Sequence, residues 1–355
     1  MIISRTPYRI SFFGGGTDYP AWYLENGGEV LAATIDKYCY LTCRYLPPFF
    51  DHKIRVVYSM IELCQNVNEI KHPAVREVLK FLAIETGGLE IHHEGDLPAR
   101  SGIGSSSSFT VGLLNALYAL QGKMIGKHQL ATESIHIEQN LIKELVGSQD
   151  QAATAYGGIN HISFSACGEI VVRPLTLTQE RVKELNAHLM LFFTGVKRTA
   201  EKVAKSYVDN LEQKKKQLLL MKEMVREAVA ILNSNSNICD FGKLLHEAWM
   251  AKRSLSQLVS NTHIDDFYET ARAAGAIGGK LLGAGGGGFI MLFVQPELQN
   301  KMREKLSKFL HVPFNFEFNG SQIIFFDQQK RYHYEEEVHS QNNISPAIEL
   351  KHLLE

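Results

Sequence analysis

Leu97-Pro-Ala-Arg-Ser-Gly-Ile-Gly-Ser-Ser-Ser-Ser108, with the apolar run FTVGLLNALYALQG behind it, decides how this chain is read. Gly102 and Gly104 let the backbone turn tightly and come close to a ligand. The serine run then opens a helix, whose free N–H groups and positive dipole end suit a phosphate. Gly102, Ile103, Gly104, Ser105, Ser106, Ser107 and Ser108 are therefore the candidate phosphate cradle. Serine hydroxyls can also join a Mg2+ shell, which favours hard oxygen ligands. The plainer alternative is a glycine turn before a serine-capped helix, for which one serine would suffice.

Two acids follow. Glu138 lies three or four residues from Ile135, Leu141 and Ile142, so on a helix over about 127–146 it sits on or beside the apolar stripe. A carboxylate there needs a partner, which a metal ion supplies, unless it snorkels from the stripe edge to water. Asp150 comes just after that helix, in Val-Gly-Ser-Gln-Asp-Gln-Ala. It reads either as a base beside the phosphate site or as an acid in the first turn of a helix capped by Ser148. Spacing does not choose between them.

Upstream, Arg5-Thr-Pro-Tyr-Arg-Ile-Ser-Phe-Phe-Gly-Gly-Gly-Thr-Asp-Tyr19 puts two arginines on a first strand and Asp18 after three glycines. Such a loop brings a short acid to sugar hydroxyls, or is a glycine turn capped by Asp18. Downstream, Lys280-Leu-Leu-Gly-Ala-Gly-Gly-Gly-Gly-Phe289 reads as a helix-to-strand turn, with more glycine than a turn needs. The excess suggests close packing against a ligand or a neighbouring loop. Three familiar patterns do not carry weight. Gly283-x-Gly285-x-x-Gly288 precedes a strand, whereas a dinucleotide fingerprint follows one. Asp240-Phe241-Gly242 has no other protein-kinase signature with it, and no P-loop is present.

The three segments, in this order, resemble those of the GHMP kinase family: TPYRISFFGGGTDY the first motif, LPARSGIGSSSS the second and KLLGAGGGGF the third. The resemblance spans about residues 5–293. It implies an α+β, two-lobed fold, with a ribosomal S5 domain 2-like N-terminal lobe and a ferredoxin-like C-terminal lobe. It implies phosphoryl transfer from ATP, with Mg2+, to a hydroxyl. Ser106 and Glu138 would then hold Mg2+, Asp150 would accept the substrate proton, and Arg9 would stabilise charge near that base and the transferred phosphoryl. Gly15-Gly16-Thr17-Asp18 replaces the EHTD that precedes tyrosine in galactokinases and is similar to the form in heptose 7-phosphate kinases, more distantly to fucokinase domains. The acceptor so implied is D-glycero-D-manno-heptose 7-phosphate, phosphorylated at its anomeric hydroxyl. Gly15, Gly16, Thr17, Asp18, Gly285 and Gly286 would border it. A substrate already bearing a phosphate needs cations, for which Lys197, Arg198 and Arg100 are candidates.

Composition agrees with an ordinary globular protein. The 355 residues carry 37 basic and 38 acidic side chains, so nothing pulls the chain generally toward nucleic acid or anionic lipid. No apolar stretch reaches membrane-spanning length. Cys39, Cys43, Cys64, Cys167 and Cys239 are odd in number and scattered, which suggests neither a disulfide framework nor a zinc site and points to a reducing, cytoplasmic setting. A small-molecule sugar phosphate is the expected partner, and a homodimer stays open. The expected organisation is an ATP-binding domain over 1–175, a C-terminal domain over 176–328 and a peripheral tail over 329–355.

Overall fold

A computed structural model describes residues 1–84, 87–196, 200–208, 211–327 and 332. The first lobe runs β1 (Ile2–Phe13), α1 (Pro20–Asn26), β2 (Gly28–Tyr45), β3 (Ile54–Val57), β4 (Ile61–Cys64), α2 (Pro73–Phe81) and β5 (Leu89–Gly95). It continues through α3 (Ser105–Leu120), α4 (Lys127–His136), α5 (Gln149–Tyr156), β6 (Ile159–Phe164) and β7 (Ile170–Pro174). The second holds α6 (Gln179–Ala187), β8 (Leu189–Phe193), α7 (Ala200–Val208), α8 (Lys215–Asn233), α9 (Cys239–Arg253) and α10 (Thr262–Ala274). Then come β9 (Gly278–Leu281), β10 (Phe289–Phe293), α11 (Gln299–Lys305), β11 (Leu310–Val312) and β12 (Gln322–Phe326).

The first sheet is ordered β12-β1-β2-β5-β3-β4. Its long β2 also carries β6, through residues 28–33, and β6 in turn pairs with β7. The second sheet is antiparallel in the order β11-β8-β10-β9. Counted along the chain that order is fourth, first, third, second, the ferredoxin-like arrangement. β12 departs from the expected division at residue 328: it pairs with β1, Ile2 opposite Phe326 and Arg5 opposite Gln322. It thereby covers the first four residues of an edge that would otherwise expose unpaired backbone.

The register of β1 shifts at Pro7/Tyr8. Pro7 has no N–H for the ladder, and bulges are where sheets tolerate proline. Beyond that bulge the Arg9 N–H donates to Ile103 O at 3.1 Å, so the strand is tied directly to the loop ahead of α3. Helix α3 lies flat on the sheet because residue 112 is glycine: a Cβ there would stand 2.8 Å from Thr6 Oγ1 and 3.2 Å from Leu41 Cδ1. Val111, Leu113, Leu114 and Leu117 of this helix are fully buried, each contributing about 1.5–3 kcal/mol. Phe241 joins the lobes, edge-on to Phe12 at 5.4 Å and Phe13 at 5.1 Å. The DFG triplet is thus core packing.

The helix expected over 127–146 is shorter than its sequence pattern. The run over 127–146 gives way after His136 to a single π turn, Ile137–Leu141. Helix α9 stops at Arg253, and α10 ends at Ala274, where Gly275 takes a left-handed φ of 112°. Residues 278–281 form β9 instead. The glycine-rich segment therefore joins two antiparallel strands, not a helix to a strand.

Candidate active site

A cavity of about 320 Å³ opens where the loop before α3, the turn after β1, the start of α5 and the β9–β10 loop converge. The loop before α3 is held open by geometry that only glycine tolerates easily. Gly104 has φ 72°, and a Cβ on it would lie 3.0 Å from Arg9 Cγ and 3.5 Å from Asp150 Oδ2. Gly102, at φ 84°, would meet Leu282 O at 2.6 Å, and a Cβ on Gly283 would meet Gly102 Cα at 2.5 Å. The two glycine loops are in backbone contact, which accounts for the glycine excess without a ligand.

Arg9 and Asp150 meet in this cavity. Arg9 Nε donates to Asp150 Oδ1 at 2.7 Å and Nη2 to Oδ2 at 2.6 Å, while Nη1 donates to Gly102 O at 2.7 Å. The fork is bidentate, the strong form of an arginine–carboxylate pair. Arg9 is buried, and the Asp150 side chain keeps 24% of its surface exposed, so one partner is fixed and the other faces the cavity. Asp150 lies in the first turn of α5. Ser148 occupies the N-cap position without capping; its Oγ accepts from Gln139 Nε2 at 3.0 Å.

Asp18 is fully buried at the cavity wall. Its Oδ1 accepts from Gly16 N at 2.9 Å and its Oδ2 from Gln149 Nε2 at 2.9 Å. Burial pushes its pKa up, against the hydrogen bond from Gly16. Gly15 and Gly16 border the cavity. Thr17 turns inward, its hydroxyl donating to Gly14 O and Glu29 O. Ser11, also at the wall, has a buried hydroxyl with no hydrogen-bond partner among the described residues.

The serines divide. Ser105, Ser106 and Ser107 border the cavity; Ser106 is exposed and Ser107 buried. Ser108 Oγ donates to Pro7 O at 3.1 Å, and Ile103 is buried behind the loop. Glu138 is brought inside by the π turn: Ser107 Oγ donates to its Oε2 at 2.9 Å and Gln151 Nε2 at 2.5 Å. The serine that reaches Glu138 is thus Ser107, next to the expected Ser106. Glu138 Oε1 is buried without a hydrogen-bond partner. Burial pushes this carboxyl up to about 7, opposed by the neighbouring Thr110, Ser107 and Gln151. A buried carboxylate oxygen left over beside serine hydroxyls has the donor chemistry that a hard divalent cation would take.

Arg100 borders the cavity in a left-handed conformation, φ 59°, its N–H donating to Ser105 Oγ. Gly285 and Gly286 point elsewhere: Gly286 N donates to Val259 O, and a Cβ on Gly285 would strike the Val259 backbone. Gly283, Ala284 and Gly287 take their place at the wall. Lys197 and Arg198 lie outside the described residues. Two buried lysines of the wall, Lys252 and Lys280, were not among the expected site residues. Their sequence signal was faint: Lys280 stands in a short Gly-Gly-Lys-Leu strand. Among the described residues, no helix is long and apolar enough to cross a membrane.

Residues 68–158 match the family model for the GHMP kinase N-terminal domain, and 230–312 the model for its C-terminal domain. The chain belongs to the GHMP kinase family. As a GHMP kinase it is a phosphotransferase with an alcohol group as acceptor, in a family that uses ATP as donor. It is 29% identical over 318 residues to a D-glycero-alpha-D-manno-heptose 7-phosphate kinase of Campylobacter jejuni, covering 86% of this chain and 93% of that one. It is 26% identical to the bifunctional fucokinase/GDP-fucose pyrophosphorylase of Arabidopsis thaliana, over 87% of this chain and 31% of that protein. The crystal structure of a D-glycero-D-manno-heptose 1-phosphate kinase from Bacteroides thetaiotaomicron superposes with a TM-score of 0.76 at 22% identity, covering 92% of this chain and 100% of that one, and establishes the fold.

Proposed function

We propose that this GHMP kinase transfers the γ-phosphoryl group of ATP to the anomeric hydroxyl of D-glycero-D-manno-heptose 7-phosphate, giving the 1,7-bisphosphate. The observation that carries the chemistry is the Arg9–Asp150 fork, set in the cavity between the serine loop and the Gly14–Asp18 turn. Phosphoryl transfer asks chiefly for positioning and charge neutralisation. The N–H groups opening α3 and the loop before it would hold the nucleotide phosphates. Asp150, oriented by Arg9, would take the proton of the acceptor hydroxyl, whose oxygen then bonds to the γ-phosphorus while the bond to the bridging oxygen breaks and ADP leaves. Glu138 and the hydroxyls of Ser106 and Ser107 would hold Mg2+, which supplies neutralisation of phosphate charge when bound. Asp18 would shape the acceptor end, its carboxylate fixing Gly16 and Gln149.

The acceptor rests on the Campylobacter relative and the Gly-Gly-Gly-Thr-Asp turn. Similarity to the Arabidopsis protein favours a second reading, an unphosphorylated deoxysugar such as fucose. A lobe boundary near 175 and cytoplasmic placement belong to the same proposal. Asp150→Asn tests the assigned base. Turnover is expected to fall by roughly 10²–10⁴-fold while ATP binding persists, and unchanged turnover would remove Asp150 from that role.

A further inference from the structure

Lys280 lines the same cavity as Arg9 and Asp150, yet it is only 3% exposed. Its Nζ donates one hydrogen bond, to Phe12 O at 2.9 Å. An ammonium has three donors, and among the described residues no carboxylate lies within ion-pairing distance of this one. Arg9, by contrast, spends its fork on Asp150, and the ammonium of Lys252 donates to Leu281 O and Gly283 O. A cation taken out of water without an anion is costly, and a well-packed apolar side chain would serve stability better. Burial pushes the Lys280 ammonium down to about 7; Arg9 on β1 acts the same way and Asp18 opposes them.

The position of this lysine points to the kind of anion it would meet. Phe12 O ties it to the end of β1 that leads into the Gly14–Asp18 turn. Arg9 and Asp18 are close enough to act on it electrostatically. We propose that Lys280 is a further catalytic residue, whose ammonium meets the phosphoryl group in transfer from the acceptor side of the Arg9–Asp150 pair. This rests on the phosphotransfer assigned to the cavity above. The step asks no proton of Lys280: Asp150 takes the acceptor proton, and the electron pair of the broken bond leaves with ADP.

Lys280→Met removes the charge at nearly constant volume, and Lys280→Gln removes it while retaining a donor for Phe12 O. Both are expected to lower kcat roughly 10²–10³-fold, the scale of removing one preorganised charge-stabilising donor, with KM for ATP and acceptor changed only a few-fold. Lys280→Met is expected to melt no lower than the wild type, because it relieves a buried cation. Affinity for ADP with aluminium fluoride, a mimic of the phosphoryl in flight, should fall with kcat, while affinity for ADP alone holds.

Variants that bind ADP–aluminium fluoride as tightly as the wild type would overturn the inference. So would a loss confined to KM for phosphorylated acceptors, which would make Lys280 a clamp for the acceptor's own phosphate. A lower melting temperature with kcat retained in both variants would reduce it to a strut between β9 and β1. A wild-type protein that binds ADP–aluminium fluoride no better than ADP would sink the phosphotransfer reading, and this inference with it.

Discussion

Replacing Glu138 by glutamine isolates the consequence of holding a carboxylate out of water. Burial lifts its pKa from 4.5 to about 7. The native state therefore binds this proton more tightly than the unfolded chain does. As pH rises from about 4.5 to about 7 the unfolded carboxyl ionises first, and the native state loses relative stability. Above about 7 both are ionised and the deficit stays constant. At about 1.36 kcal/mol per pKa unit, that interval amounts to about 3 kcal/mol against the metal-free native protein. Glu138→Gln keeps an oxygen for Ser107 and Gln151 but places an amide donor where Oε1 has no partner. That adds a pH-independent cost of about 1–3 kcal/mol. The unfolding free energy of the variant minus that of the wild type is thus expected to rise by about 3 kcal/mol between about pH 4.5 and 7.5. Urea unfolding in the presence of a chelator measures it. A difference that stays flat with pH would refute the reasoning, since Glu138 would then titrate like a surface acid. Mg2+ with ATP is expected to shrink the difference at about pH 7.5, because a cation at Oε1 holds the carboxylate ionised.

The loop geometry and the fork lend themselves to similar tests. Gly104→Ala introduces a Cβ at φ 72°, against Arg9 Cγ and Asp150 Oδ2. It is expected to destabilise by about 1–2 kcal/mol through left-handed strain and to lower kcat by displacing the pair, read by thermal unfolding and steady-state kinetics together. Arg9→Lys keeps the charge but not the two-pronged bond to Asp150 and the bond to Gly102 O. A loss of kcat of roughly 10–100-fold is expected from replacing a fixed fork with a point charge, and full activity would show that charge alone suffices.

Much of the fold is written locally. The glycine–serine segment announces its turn and helix because positive φ and dense small polar residues have few other uses, and α3 begins at Ser105. What the sequence hides is long-range. β12 reaches β1 across more than 300 residues, a pairing that no local pattern encodes. Gly278-Gly279-Lys280-Leu281 carries no β-branched residue, so nothing local announces a strand; the form of β9 is imposed by pairing with Phe293–Ile290. Glu138 marks the limit of periodicity: a regular helix puts it at the edge of the apolar stripe, and one π turn moves it to 0% exposure beside Ser107. Motif resemblance points to Asp150 and Arg9, whereas their bidentate contact emerges only in three dimensions. A run of glycines does not say which of them faces the cavity and which, like Gly285 and Gly286, meets Val259.

The most direct measurement is ADP release from ATP and Mg2+ with D-glycero-D-manno-heptose 7-phosphate, run beside the unphosphorylated heptose, fucose and galactose, with Asp150→Asn as control. Strong turnover with the phosphorylated heptose, absent with the other three and lost in Asp150→Asn, is the expected result. Turnover only with fucose or another unphosphorylated sugar would contradict the proposed acceptor, and turnover that survives Asp150→Asn would contradict the catalytic assignment.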